Sequence, residues 1–130
     1  MKDNEFLFDA SALYSLLDYS DKLDFKRSHI LTLTLYEVGN AIWKEYYLHK
    51  KVKDPITLST LFYKFMTKFN VIGNLLFEGV MKIAVEEGLS YYDASYVYAA
   101  KSLGLVLVSN DKDLIRKANA ISLKDFIKLI

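Results

Sequence analysis

Cysteine is absent, proline occurs once and glycine only five times. Without a thiol the chain has neither a disulfide framework nor a thiolate metal site, a composition that suits a reducing compartment. None of the glycines falls into G-x-G-x-x-G or the P-loop pattern, so no glycine-rich phosphate cradle is encoded. A serine triad lacks its G-x-S-x-G elbow. The two histidines, His29 and His49, show no zinc-ligand spacing and are expected at the surface. No stretch approaches the roughly 20 apolar residues of a membrane span. The apolar run after the polar residues 1–5 ends at Asp9, too short for a signal-peptide core. The expectation is a cytoplasmic protein without membrane contact. Net charge is small as well, at +1, so any nucleic-acid contact must rest on a local patch.

What is present is a globular composition. The chain has 130 residues, 52% of them hydrophobic and 25% charged, which suits one domain over 1–130 with one core. Phe6-Leu7-Phe8 reads as a short buried strand, and Asp9-Ala10-Ser11 as the turn into a helix carrying Leu13, Leu16 and Leu17. Residues 18–28 read as loop or short helix, and 29–33 as a second strand. Thr34 is expected to open a helix with Leu35, Val38, Ile42, Trp43 and Tyr46 on one face. Asp54-Pro55 marks a break before a helix from 56 to 69, apolar over more than one face. Val71-Ile72 suggests a short strand. Residues 74–87 suggest a helix stopped by Gly88, and Ser90 begins another that ends near Gly104. Leu105 to Val108 is the clearest strand, uncharged and continuous as a doubly covered strand should be. A short helix at 111–117, a last strand at Ala120-Ile121 and a last helix at 123–129 complete the pattern. Strands alternating with helices predict an α/β fold with a central parallel sheet and helices on both faces.

In such sheets ligands bind beyond the carboxyl ends of the strands. Asp9 and Asp111 follow strands directly, and Glu37 falls early in the helix after the second strand. Asp93 reaches the same rim if its helix begins there. Each acid taken singly also fits a helix cap: Thr34-x-x-Glu37 and Ser90-x-x-Asp93 are capping-box patterns, and Asp9 and Asp111 sit where N-caps belong.

Taken together the four stretches resemble a PIN domain, and within that group the VapC toxins of toxin–antitoxin pairs. The matching segments are Phe6-Leu7-Phe8-Asp9-Ala10-Ser11-Ala12-Leu13, Tyr36-Glu37-Val38, Leu89-Ser90-Tyr91-Tyr92-Asp93-Ala94 and Leu107-Val108-Ser109-Asn110-Asp111-Lys112-Asp113-Leu114. They run in order across nearly the whole chain, with residues 52–75 the least similar part. The resemblance implies an α/β/α sandwich whose acids Asp9, Glu37, Asp93 and Asp111 bind magnesium or manganese. It sets Ser11 and Ser109 beside them and adds Asp113 as an outer acid. It also implies a metal-dependent endoribonuclease, a homodimer, and a small antitoxin partner whose arginine pairs with the carboxylates. Hard divalent cations favour carboxylate oxygens, which suits that set.

For RNA, the densest basic stretch runs from Lys44 to Lys53, with Lys50 and Lys51 at its centre and Tyr46 and Tyr47 interleaved. Lys112, Arg116 and Lys117 form a second basic group nearer the acids. Two other function classes fit parts of the pattern. One is a PIN-type nuclease of housekeeping RNA processing. The other is a non-enzymatic α/β signalling or interaction module such as a phospho-receiver. A receiver wants paired acids ahead of its first-strand aspartate, and Asp3 and Glu5 lie too early for that.

Overall fold

The computed structural model describes residues 4–130. Four strands, β1 (Phe6–Phe8), β2 (Ser28–Leu31), β3 (Asn70–Ile72) and β4 (Val106–Val108), form one parallel sheet in the order β3-β2-β1-β4. Seven α-helices connect them: α1 (Ala10–Leu16), α2 (Thr32–Tyr47), α3 (Pro55–Met66), α4 (Phe77–Glu87), α5 (Tyr91–Leu103), α6 (Lys112–Ala118) and α7 (Leu123–Ile127).

Strand alternation builds the two layers. Successive side chains in a strand point to opposite faces. Phe8, Ile30 and Val108 therefore pack with α1, α2, α3 and α7 on one side. Leu7, Leu31 and Leu107 pack with α4, α5 and α6 on the other. The first layer is aromatic: Phe8 meets Phe126 and Phe69 edge-on at ring separations of 5.0 and 5.9 Å. Helices α4 and α5 both stop at left-handed glycines, Gly88 (φ 64°) and Gly104 (φ 66°), a conformation that glycine adopts without steric cost.

The sequence pattern erred at several boundaries. Helix α2 begins at Thr32, so the second strand ends at Leu31 and Thr34 is not the opening residue. Thr34 instead accepts the Leu31 N–H through its hydroxyl at 3.0 Å. That moves Glu37 out of the first turn into the second. Residues 17–22 and 25–27 form two short 3-10 helices. Helix α3 ends at Met66 rather than 69, and residues 73–76 are not helical. Ile121 makes a single parallel bridge to Val108 and no full strand, because Ser122 already caps α7. His29 is partly buried rather than fully at the surface: it lies within β2, 15% of its side chain is exposed, and its Nε2 is 2.7 Å from Glu5 Oε1. Among the described residues no helix is long and apolar enough to cross a membrane.

The chain winds outward from β1 through β2 to β3, then returns to add β4 on the other side of β1. The reversal places a topological switch point between β1 and β4, where open parallel sheets bind their ligands. Register fixes what lies there. Leu7 pairs with Leu107 and Phe8 with Val108, so Asp9 and Ser109 emerge side by side at the carboxyl edge.

Candidate active site

Asp9 leaves β1 with its N–H bonded to Val108 O at 3.2 Å. It caps α1, accepting the Ala12 N–H on Oδ1 at 3.0 Å. The cap does not exclude a role in a site: capping orients the carboxylate and leaves it at the rim. Two serines brace it. Ser11 Oγ donates to Oδ1 at 2.7 Å and accepts the Asn110 N–H at 3.0 Å. Ser109 Oγ donates to Oδ2 and accepts the Asp111 N–H at 2.9 Å. Ser109 is fully buried, Ser11 exposed. The two hydroxyls tie the end of β1 to the end of β4.

Asp111 caps α6, accepting the Asp113 and Leu114 N–H groups on Oδ1 at 2.8 and 3.1 Å. Asp93 sits in the first turn of α5, whose cap Ser90 accepts the Asp93 N–H at 3.0 Å. That helix start is the condition on which Asp93 depended, and it brings the carboxylate within electrostatic reach of Asp9 and Asp111.

Glu37 approaches from α2, held by a relay that sequence reasoning missed. Tyr96 is buried on α5, one turn after Asp93, and its hydroxyl donates to Glu37 Oε1 at 2.6 Å. The Thr34 hydroxyl lies 2.8 Å from the Tyr96 oxygen. Since Thr34 accepts from Leu31 N and Tyr96 donates to Glu37, Thr34 supplies its proton to Tyr96. The result is a directed chain from the Leu31 amide to the Glu37 carboxylate. Removing the phenol leaves Thr34 with a buried unpaired donor. Tyr96→Phe is therefore expected to cost about 1–3 kcal/mol of stability, the penalty of an unsatisfied buried group. A urea midpoint unchanged from wild type would contradict the relay.

The charges of this rim are uncompensated. Burial raises the Asp9 carboxyl above the usual range, and the Asp111 charge adds to that, against the lowering effect of its hydrogen bonds. Burial raises Glu37 too, with the Asp9 and Asp93 charges adding to it and the Tyr96 bond opposing. Asp93 is raised by burial, then by Asp111, Asp9 and Asp113. Among the described residues the ion pairs lie elsewhere: Arg116 with Asp113 at 2.8 Å, Arg27 with Asp24, His29 with Glu5 and Lys128 with Asp125. Asp113 is thus occupied by Arg116 and acts on the rim through its field.

Among the described residues no group of three His, Cys, Asp or Glu side chains is already set to hold a metal ion. The donor set nonetheless fits a hard cation. It consists of carboxylate oxygens, those of Asp9, Glu37 and Asp93 at raised pKa, and among the described residues none of the four acids is in an ion pair; magnesium takes one or two carboxylates while keeping waters.

The basic candidates divide. Lys50 and Lys51 lie past the end of α2, and the helix end at Tyr47 is already about 15 Å along the axis from Glu37. Lys50 Nζ sits over the Tyr47 ring, 5.6 Å from its centroid, and Trp43 meets the same ring edge-on. That patch is apart from the acids. Lys117 Nζ bonds Gly88 O at 3.3 Å, Arg116 holds Asp113, and Lys112 follows Asp111 directly. Lys44 is nearer: with Tyr36, Asn40 and Tyr92 it lines a cavity of about 500 Å³ that also reaches Glu37. Exposed tyrosines immediately before two of the acids were the available signal for it.

A doubly wound parallel sheet with four acids gathered at its switch point defines a class. The chain belongs to the PIN-domain family, whose model matches residues 6–120. Within that family it is of the VapC type. It is 45% identical over 115 residues to exonuclease VapC9 of Pyrobaculum aerophilum, covering 87% of this chain and 85% of that one. The crystal structure of PAE2754 from the same organism superposes with a TM-score of 0.89 at 40% identity, over 97% of this chain and 88% of that one. At the level of fold alone, a toxin–antitoxin complex from Klebsiella pneumoniae matches at 18% identity and a TM-score of 0.67, over 92% of this chain and 98% of that one.

Proposed function

We propose that this chain is a single-domain, metal-dependent endoribonuclease whose active site is the rim formed by Asp9, Glu37, Asp93 and Asp111. The observation that carries the reading is the uncompensated carboxylate set at the switch point, braced from both sides by hydroxyls. The nuclease reading gains support from the similarity to exonuclease VapC9.

In this reading Asp9, Asp93 and Asp111 hold the cation. A divalent magnesium or manganese ion supplies Lewis acidity to the phosphoryl group and acidifies water at the site. Glu37 acts as the base. Its Oε1 accepts from Tyr96, so Oε2 is the oxygen left to take the proton of the water as the water oxygen attacks phosphorus. The bond to the leaving oxygen breaks, and that oxygen takes a proton from solvent. The raised pKa of Glu37 brings its proton affinity closer to neutral pH, as a general base requires. Ser109 keeps Asp9 and the Asp111 backbone in one arrangement, a positioning role. Ser109→Ala is expected to lower manganese affinity about 10- to 100-fold, the usual cost of losing a partner of a ligand. Exposed Ser11 should cost less, and equal losses at both positions would contradict the assigned roles.

Proton and metal compete for these oxygens. A carboxyl raised by folding is favoured folded when protonated, and that contribution is lost as pH climbs through the raised value. In metal-free protein the site's contribution to stability therefore falls as the pH rises above the ordinary carboxylate range. Cation binding offsets the loss. Manganese at about a hundred times its Kd should add about 2.7 kcal/mol at pH 7.5. The same concentration should add clearly less at pH 5. Equal thermal shifts at both pH values would count against the site.

The function is tested by cleavage of a mixed RNA pool with manganese, with and without a chelator. Chelator-sensitive cleavage supports the reading. A circular RNA separates the modes, since only an endonuclease opens it. A protein partner of antitoxin type and a homodimer complete the proposal. The apolar stripe Phe77, Met81 and Val85 on α4 is exposed along one face, as an interface would be. A monomeric mass at tens of micromolar would remove the dimer from the account.

A further inference from the structure

The basic run past the end of α2 has no task at the acids. After Tyr47 the chain turns back on its own helix. The Leu48 and His49 N–H groups donate to Lys44 O at 2.9 and 3.0 Å, and those of Lys51 and Val52 to Glu45 O at 2.8 and 3.3 Å. The turn so fixed holds Lys50 at φ 58°, a left-handed conformation that glycine adopts without steric cost and lysine does not. From there the Lys50 ammonium lies over the Tyr47 ring. Tyr46, Tyr47, Lys50 and Val52 line a cavity of about 300 Å³. Lys50, Lys51 and Lys53 are all exposed, and residues 48–53 contain no acid. Among the described residues none of the three lysines is in an ion pair. The helix dipole favours cations within the last turn, which accounts for Lys44 but not for the lysines beyond it.

We propose that this turn is a second RNA contact, outside the acids: it holds the phosphodiester backbone of the substrate at a distance from the bond that is cut. The inference rests on the nuclease reading and adds an anchor to it. Three features argue for such a strand. The chain as a whole carries only +1, so a polyanion is held by local charge or not at all. Lys44 lines the groove that reaches Glu37 and lies one turn before Leu48, so cations lead along α2 from the acids to the turn. The helix end is about 15 Å along the axis from Glu37, which places the turn beyond the nucleotide at the acids. Finally, the Lys50 ammonium is already held by a ring, so less freedom is lost when a phosphate arrives. Contacts to phosphate carry no sequence information, so the anchor adds affinity to any RNA that reaches from the acids to the turn.

The test uses the full chain. Binding to the Asp9→Asn chain, with manganese present, is read by fluorescence anisotropy of a mixed-sequence RNA of about thirty nucleotides, between about 50 and 200 mM potassium chloride. Lys50→Gly, Lys51→Ala and Lys53→Ala should each weaken binding about fivefold at about 0.1 M salt and flatten the salt slope by about 0.7, one phosphate contact on a single strand. Lys50→Gly should melt no lower than its parent, because glycine suits the turn, so its loss of affinity is not a loss of fold. Lys101→Ala, at an exposed position in the last turn of α5, should change neither affinity nor slope. In cleavage by the chain with Asp9 intact, the changes in the turn should raise KM more than they lower kcat. Unchanged affinity and slope, or an equal loss in Lys101→Ala, overturns the contact. Lysine-dependent binding of poly(glutamate) with none of the RNA also overturns it, and gives the turn to an acidic protein segment. The two readings fail separately. Cleavage of RNA by wild type with KM unchanged in the three variants sinks only the second contact. Lysine-dependent RNA binding by a chain that never cleaves sinks only the nuclease.

Discussion

Asp9→Asn is expected to lower the rate of RNA cleavage by at least about a hundredfold, more than the loss of a partner of a ligand. Asparagine keeps the cap, because its Oδ1 still accepts the Ala12 N–H and the Ser11 hydroxyl. What it loses is the charge and the second acceptor oxygen, to which Ser109 donates. The variant should therefore fold and fail to cleave. It also carries no buried charge, a gain that offsets the unpaired Ser109 hydroxyl, so its melting temperature without metal should change little at pH 7.5. Cleavage by the Asn variant at the wild-type rate would mean that Asp9 is only a helix cap, or that the activity belongs to a contaminant.

The largest loss of stability is expected one residue earlier. Phe8 is fully buried between Phe69 and Phe126, and its strand carries Asp9 to the rim. Phe8→Ala removes a ring from a close-packed layer and should cost about 3–5 kcal/mol. For a chain of this size that is a fall in melting temperature of about 10–25 °C. Tyr36→Ala, at an exposed position, should stay within about 0.5 kcal/mol of wild type. A small effect at Phe8 would contradict the layer assignment that sets β1, and with it the position of Asp9.

The fold was largely legible, because the parallel sheet depends on local signals: short apolar runs, helix stops at Gly88 and Gly104, and caps at Asp9, Ser90 and Asp111. Local signals also misled. Thr34-x-x-Glu37 has the form of a helix start, yet the Thr34 hydroxyl serves the last residue of β2 and the helix already runs from Thr32. Ala120-Ile121 has strand composition, but only Ile121 finds a partner. Tyr96 was invisible for a different reason. On sequence it is one more apolar position on a helix, and the groups its hydroxyl joins, Glu37 and Thr34, lie 59 and 62 residues away. The same holds for the bond from Ser109 to Asp9 across 100 residues, which only the register of β1 and β4 reveals. The basic run at 44–53 shows the opposite fault: charge density drew attention to Lys50, whose partner is Tyr47, while Lys44 at its edge faces the acids' side of α2.

The cation site formed by Asp9, Asp93 and Asp111, with Glu37 beside it as the base, is the centre of this account, and manganese titration by calorimetry reads that site directly. Wild type should bind manganese, and the number of protons released should grow as the pH is lowered from 7.5, since carboxyls of raised pKa give them up to the metal. The heat should therefore change with the ionisation enthalpy of the buffer. Asp9→Asn combined with Asp111→Asn should abolish the binding. No binding to folded wild type, or equal binding to the double variant, would contradict the assignment of these acids as the site.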